Sequence, residues 1–262
     1  MDLGLSGKRA LVTGGSAGIG LAVARRLQQE GCRVAIAARD PDRLERARTA
    51  LGDDSWAVAA DVTDPDQLRT AVEEAAQRLG GLDLLCANAG GSTGGDLLES
   101  TPEDWVQTYA LNVLHAAHAV RCAVPHFRAA GGGSVVIVAS VSGRLAGPSS
   151  SYGSAKAAEI HLAAILAQEL GRYRIRVNAV SPGSTLFEAG GWASYRDRHP
   201  DEFAAFAHDA FPAGRLVTLD EVTDAICFVL SPRGSGINGA EIPVDGGQTR
   251  PSARVFPRDA SD

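Results

Sequence analysis

The segment Tyr152-Gly153-Ser154-Ala155-Lys156 sets a phenol and an ammonium four residues apart. On a helix that spacing puts both side chains on one face. A tyrosine has an ordinary pKa near ~10, too high for efficient proton exchange around neutrality. A neighbouring ammonium favours the phenolate and lowers that value. The pair is therefore a candidate acid/base unit, although the same spacing also occurs on ordinary exposed helix faces. Composition sharpens the reading. Of 25 basic residues only Lys8 and Lys156 are lysine. In a chain that otherwise uses arginine, a retained lysine can mark a position where arginine is chemically unsuitable, and Lys156 beside Tyr152 is the candidate.

A second constellation lies near the start. Thr13-Gly14-Gly15-Ser16-Ala17-Gly18-Ile19-Gly20 follows a short apolar run and opens a helical pattern. Glycines allow a tight turn and a close approach of phosphate to backbone. The helix N-terminus adds unpaired N–H groups and a positive dipole end. The spacing is G-x-x-x-G-x-G rather than the commoner G-x-G-x-x-G, and the strand–turn–helix setting is what points to a dinucleotide. Gly14, Ser16, Gly18, Ile19 and Gly20 are its candidate contacts. About 20 residues on, a site for NAD would carry an acid on the adenosine ribose. Ala38 stands there, followed by Arg39, whose guanidinium suits a 2′-phosphate. That favours NADP(H), with NAD(H) the alternative if Asp40 binds the ribose instead. Asp61-Val62, after the third strand, are candidates to meet the adenine.

Positioning these groups requires regular elements. Apolar runs of strand length begin at Arg9, Arg33, Trp56, Leu82, Ser134, Arg174 and Glu241. Helical patterns cover Ile19–Glu30, Pro41–Leu51, Pro65–Leu79, Pro102 to about Arg128, Ser151–Leu170 and Leu219–Leu230. The fourth of these is expected to be disturbed near Pro125. The alternation predicts an α/β fold, a Rossmann-like doubly wound parallel sheet of about seven strands with helices on both faces. One domain is expected over residues 1–248, with an irregular insertion at about 184–214 and a polar tail from 249 to 262. The 262 residues, 45% hydrophobic, suit one large core. A net charge of -6 with no long basic run argues against nucleic acid or an anionic membrane as partner. The apolar runs are too short to span a bilayer. Met1-Asp2-Leu3-Gly4 lacks the pattern of a secretory signal, so a cytoplasmic location is expected. Cys32, Cys86, Cys122 and Cys227 are widely spaced, which predicts buried thiols rather than a metal site or disulfides.

Taken together, T-G-x-x-x-G-I-G, Asn88-Ala89-Gly90 and the late Y-x-x-x-K resemble the short-chain dehydrogenase/reductase family. The resemblance spans Gly7 to about Gly247, with several motifs in the family's order. It implies hydride exchange between a nicotinamide cofactor and an alcohol/carbonyl pair. It implies a catalytic set of Asn112, Ser140, Tyr152 and Lys156, with Ser142 the alternative to Ser140. Tyr152 would pass the proton, Ser140 would bind the substrate oxygen, Lys156 would hold the nicotinamide ribose and Asn112 would support a water-linked relay. Asn88, Gly90, Pro182 and Gly183 would line the cofactor groove. The family's P-G-x-x-x-T becomes Pro182-Gly183-Ser184-Thr185-Leu186-Phe187. Phe187 thus replaces a threonine that contacts the carboxamide, and Thr185 is the candidate substitute. The resemblance also implies a homo-oligomer, a tetramer or dimer.

Aromatic residues are few, three Trp, four Tyr and seven Phe. Phe187, Trp192, Tyr195, Phe203, Phe206 and Phe211 fall together in the insertion, the family's substrate lid. That predicts an apolar pocket for a small-molecule substrate, touched by Ser142, Phe187 and Trp192, and fitted to a hydrophobic ketone or a 3-oxoacyl-like compound. Phe203 and Phe206, at helical spacing, have the alternative of anchoring the lid helix. The leading expectation is an NADP(H)-dependent alcohol/ketone oxidoreductase. Its competitors are an NAD(H)-linked dehydrogenase of the same fold and a non-catalytic dinucleotide sensor.

Overall fold

A computed structural model describes residues 2–52, 54–147, 149–188 and 190–250. The tail expected from residue 249 therefore falls almost wholly outside the described residues. The chain alternates β1 (Arg9–Thr13), α1 (Gly18–Gln29), β2 (Arg33–Ala38), α2 (Pro41–Leu51), β3 (Ser55–Ala59), α3 (Pro65–Leu79) and β4 (Leu84–Ala87). It continues with α4 (Pro102–Tyr109), α5 (His115–Ala129), β5 (Gly133–Val138), α6 (Ser150–Leu170) and β6 (Ile175–Pro182). The last third holds β7 (Thr185–Leu186), α7 (Gly191–Arg198), α8 (Pro200–Ala210), β8 (Val217–Thr218), α9 (Leu219–Leu230) and β9 (Glu241–Val244).

Seven strands form one parallel sheet in the order β3-β2-β1-β4-β5-β6-β9. β-Strands buried on both faces need continuous apolar runs, and β1, β2, β4 and β5 supply them. One face is covered by a core that includes Val23, Leu27, Ile226 and Leu230 of α1 and α9. The other is covered by Val72, Val120, Phe127 and Ala163 of α3, α5 and α6. The strand order reverses between β1 and β4, so a crevice opens at their carboxyl ends, where doubly wound sheets bind ligands. This is the expected Rossmann-like arrangement.

Two expectations are corrected. The helix from Pro102 to Arg128 is not disturbed at Pro125, which lies within α5. The break is a π-helical turn, Ala110–Leu114, between α4 and α5. Its cause is Asn112, whose side-chain Nδ2 donates to the Thr108 carbonyl at 2.6 Å, the acceptor that an α-helix would reserve for the Asn112 backbone N–H. The insertion at 184–214 is also not irregular. β7 pairs with β8 to form a separate two-stranded sheet, and α7 and α8 follow β7. Pro200 in the first turn of α8, with Asp201 and Glu202 beside it, favours a helix start.

Three of the four cysteines are buried and Cys122 is half-buried, all four as free thiols. Burial pushes the Cys86 thiol up to about 12. Among the described residues no group of three or more His, Cys, Asp or Glu could hold a metal ion. No helix among them is long and apolar enough to cross a membrane.

Candidate active site

The glycine turn after β1 is fixed by packing as much as by any ligand. Gly14 has φ +64, and a Cβ there would lie 2.9 Å from the Ala89 Cα. A Cβ on Gly20 would sit 2.3 Å from the Gly14 carbonyl oxygen and 2.4 Å from Asn88 Nδ2. Gly18, at φ +53, turns the chain into α1. Asn88 holds the turn from the next strand, its Nδ2 donating to the Thr13 carbonyl at 3.1 Å and the Gly14 carbonyl at 3.3 Å. Helices α2, α3, α4 and α9 all have side-chain N-caps. α1 has none and carries no acid in its first turn. Its free N–H groups and positive dipole end suit a pyrophosphate.

Thr13 is the hub beneath this turn. Its hydroxyl oxygen accepts the backbone N–H of Asn88 at 3.0 Å and of Ala89 at 3.3 Å, and meets His115 Nε2 at 3.0 Å. Burial, with the Lys156 charge adding to it, pushes the fully buried His115 down to about 3. The ring is thus neutral, and Nε2 can accept from the Thr13 O–H. Its ordinary value is 6.5. Folding favours the neutral ring, so its contribution to stability is complete above pH 6.5 and falls away as pH drops from there towards 3. The loss is on the order of 5 kcal/mol at full extent. His115→Gln is expected to flatten the dependence of unfolding free energy on pH between 6.5 and 4, measured by denaturant titration. An unchanged slope would contradict the assignment.

Beside the end of β2, where the adenosine is expected, a cavity of about 270 Å³ is lined by Gly14, Ser16, Arg39, Asp40, Arg43 and Val62 among others. Ala38 closes the end of β2 in this cavity, and the Arg39 side chain is 67% exposed at its mouth. Asp40 is occupied: its carboxylate caps α2 by accepting the Arg43 N–H at 3.0 Å, and that bond chiefly holds its pKa below the ordinary range. Asp61 is not part of the lining. Its carboxylate accepts the Thr63 N–H and O–H at 2.9 and 2.7 Å and lies 3.9 Å from Arg39. Burial pushes that carboxyl up, but the Thr63 bonds and Arg39 outweigh it and lower the pKa.

The second cavity, about 300 Å³, lies across the carboxyl ends of β4, β5 and β6. Ile19, Asn88 and Gly90 bound it on one side, and Pro182, Gly183 and Thr185 on another. Ser140, Ser142, Tyr152 and Lys156 form its third wall. The Ser140 hydroxyl accepts the Ser142 N–H at 3.1 Å, which sets the short turn after β5. Lys156 Nζ lies 5.6 Å from the centre of the Tyr152 ring. It donates to the Val138 carbonyl at 3.0 Å and to Glu159 Oε2 at 2.9 Å.

Asn112 does not line this cavity. Its amide is committed to Thr108 and to Gly91, donating to the Gly91 carbonyl at 2.7 Å and accepting the Gly91 N–H at 3.3 Å. It therefore pins the loop after β4 to the π-helical turn. The Thr185 hydroxyl turns back to the Gly183 carbonyl at 2.9 Å. Phe187 lies over the start of α1, where a Cβ on Gly18 would meet its ring at 3.5 Å. Trp192 lines the cavity. It lies in α7, buried, stacked on Phe206 with ring centres 4.7 Å apart and edge-on to Phe203. Phe203 and Phe206 thus hold the lid's own small core together.

Several site residues escaped sequence reasoning. Gln248 accepts the Ser184 N–H at 2.8 Å and donates to the Ser184 hydroxyl at 3.0 Å, tying the loop after β6 to the end of the described chain. Arg144 bridges Glu241 and Asp245 and so anchors the turn after Ser140 to β9. Glu159 contacts Lys156 directly. Only Glu159 left a sequence signal, as the single carboxylate in the apolar run Ala155–Leu166.

Known proteins share this architecture. Residues 14–249 match the sequence model of a family described as enoyl-(acyl carrier protein) reductase. The isoepoxydon dehydrogenase of Penicillium expansum is 33% identical, over 94% of this chain and 96% of that protein. The structure of L-sorbose reductase from Gluconobacter frateurii with NADPH and L-sorbose superposes with a TM-score of 0.88 at 32% identity, covering 95% of this chain and 98% of that one. A 7α-hydroxysteroid dehydrogenase with NADH and 7-oxo glycochenodeoxycholic acid gives 0.86 at 29% identity, covering 94% and 96%. With the glycine turn, the strand order and the Tyr/Lys wall in place, this chain belongs to the short-chain dehydrogenase/reductase family and is an NAD(P)-dependent oxidoreductase.

Proposed function

We propose that the protein interconverts a secondary alcohol and a ketone with NADP(H), using Tyr152 as the acid/base. The carrying observation is the convergence of Ser140, Tyr152 and Lys156 on one cavity with the Pro182–Thr185 loop and the Asn88–Gly90 turn. The nicotinamide, when bound, supplies a hydride to the carbonyl carbon or takes one from the alcohol carbon. In the reducing direction the Tyr152 O–H gives its proton to the carbonyl oxygen. The Ser140 hydroxyl donates a hydrogen bond to the same oxygen and stabilises its developing charge. Lys156 has three N–H donors; with two engaged by Val138 and Glu159, the third is free for a ribose hydroxyl in the cavity that Lys156 lines. Asn112 acts by fixing the loop at Gly91. Gly14, Ser16 and the start of α1 would hold the phosphates.

The NADP(H) reading is supported by charge. With Ala38 in the acid's place, the adenosine cavity is lined by two arginines, Arg39 and Arg43, against one carboxylate, Asp40, whose Oδ1 is spent on capping α2. A charge-assisted hydrogen bond contributes about 1.5–3 kcal/mol. Arg39→Ala is therefore expected to raise KM for NADPH roughly 10- to 100-fold, by the same arithmetic, while leaving KM for NADH within about threefold. Parallel titrations by absorbance check this. Equal effects on both cofactors, or none, would return the assignment to NAD(H). The substrate reading, a ketone with a hydrophobic or 3-oxoacyl-like frame, is supported by Phe187 and Trp192 at the cavity rim. Self-association as a dimer or tetramer is supported by Val106, Leu114 and Ile165, apolar side chains left exposed on α4, the π-helical turn and α6.

A further inference from the structure

Helix α6 brings a third ionisable group to the Tyr152/Lys156 wall. Glu159 follows Lys156 by three residues, so it shares the same face. Its residue surface is 1% exposed and that of Lys156 is 3%. A carboxylate buried in an otherwise apolar stretch is costly unless it is paired, and the Lys156 ammonium at 2.9 Å is its partner. The ammonium is held from two sides, by Glu159 on its own helix and by the Val138 carbonyl at the end of β5, two residues before Ser140.

We infer that Glu159 is a positioning residue for Lys156: its carboxylate fixes the ammonium beside Tyr152 and tempers the positive charge that the phenol meets. The inference rests on the assignment of Tyr152 and Lys156 proposed above. Lys156 loses stability as a cation through burial, but Glu159 and Tyr152 more than offset this and raise its pKa. Burial pushes the Glu159 carboxyl up, with Lys156 pulling it back. The remaining groups around the pair leave this balance to the three residues. His115 of α5 senses the Lys156 charge and is itself neutral. The π-helical turn presents Asn112, already committed to Gly91 and Thr108. From α4, Glu103 is exposed, Asp104 is bound in its capping box with Thr101, and Tyr109 stacks on Trp105. On β6, Arg176 is hydrogen-bonded to the Ile237 carbonyl and to carbonyls at the end of α9. Arg144, after the Ser140 turn, is paired with Glu241 and Asp245. Arg172, beyond α6, lies over Tyr173, and His161 of α6 is exposed.

The chain's two lysines make the test direct. Lysine labelled with 15N and 13C gives two side-chain signals, and Lys8→Arg identifies which is Lys156. In the wild-type protein the Lys156 ammonium is expected to persist above the ordinary lysine value near ~10.4. In Glu159→Gln, which keeps a hydrogen-bond acceptor but removes the charge, its titration is expected to fall by about one unit or more. The acidic limb of kcat/KM for alcohol oxidation is expected to move down by about one unit, because an untempered ammonium favours the phenolate. KM for the cofactor should stay within about threefold, and Glu159→Asp should restore the limb towards wild type. Superimposable lysine titrations and pH profiles for wild type and Glu159→Gln would overturn the inference. If the variant does not fold, the wild-type signal decides alone: deprotonation of Lys156 below the ordinary value overturns the pairing, and persistence above it supports it. A protein inactive on every substrate would count against the proposed function, while the lysine titration would still report on Glu159.

Discussion

Replacing Tyr152 by Phe is expected to lower turnover by roughly 10²- to 10⁴-fold, the range a positioned general acid supplies. The change removes one oxygen from a half-buried ring that lines the cavity wall with Ser140 and Lys156. It leaves the glycine turn, the uncapped start of α1 and the Arg39 mouth of the adenosine cavity untouched. Cofactor affinity, followed by fluorescence of bound NADPH, should therefore stay within a few-fold of wild type. This separation of binding from turnover distinguishes an acid from a structural residue. A phenylalanine variant with wild-type turnover would remove Tyr152 from the chemistry, and one that lost cofactor affinity and turnover alike would make it a packing residue.

Lys156→Ala carries the second large effect, and here stability and chemistry fall together. Its ammonium is the partner of a buried carboxylate, so removal leaves the Glu159 carboxyl buried and unpaired. Breaking a buried pair from one side costs about 3–5 kcal/mol. For a chain of this length that corresponds to a fall in Tm on the order of 10 °C. Turnover should drop as well, because the ribose and the Tyr152 phenol both lose their cationic neighbour. The double variant Lys156→Ala/Glu159→Leu tests the cause, since it removes the stranded carboxyl along with its partner. Its Tm, by scanning calorimetry, should recover much of the loss while turnover does not. A double variant as unstable as the single one would show that the stability lay in packing rather than in charge.

What the sequence revealed and what it hid follow one physical divide. Local patterns were legible. The strand starts, the spacing of Tyr152 and Lys156, and the turn at Gly14–Gly20 all rest on neighbours within a few residues. The reasons behind them were not always local. Gly20 reads as a cofactor contact, yet its lack of a Cβ is demanded by the Gly14 carbonyl and by Asn88 from another strand. Asp61 sits where an adenine contact is expected, but its carboxylate goes to Thr63 and Arg39. Proline is the usual breaker of a helix, so Pro125 drew attention away from Asn112. A side chain that takes over a backbone acceptor leaves no mark on hydrophobic periodicity. Gln248 and Arg144 were hidden for the same reason: their partners lie 64 and 101 residues away. The lid was misread because its short helices hide their apolar faces in a cluster of their own rather than in the main core.

In the proposed reaction Tyr152 delivers a proton as hydride reaches a ketone carbon from NADPH. The most direct measurement follows label from NADPH deuterated at the transferring carbon into the alcohol product, across a panel of hydrophobic and 3-oxoacyl ketones, with NADH run in parallel. Mass spectrometry is expected to find deuterium on the carbinol carbon with wild-type protein, more readily from NADPH than from NADH, and almost none with Tyr152→Phe. Cofactor binding without label transfer to any ketone, or equal transfer by the Tyr152→Phe variant, would contradict it.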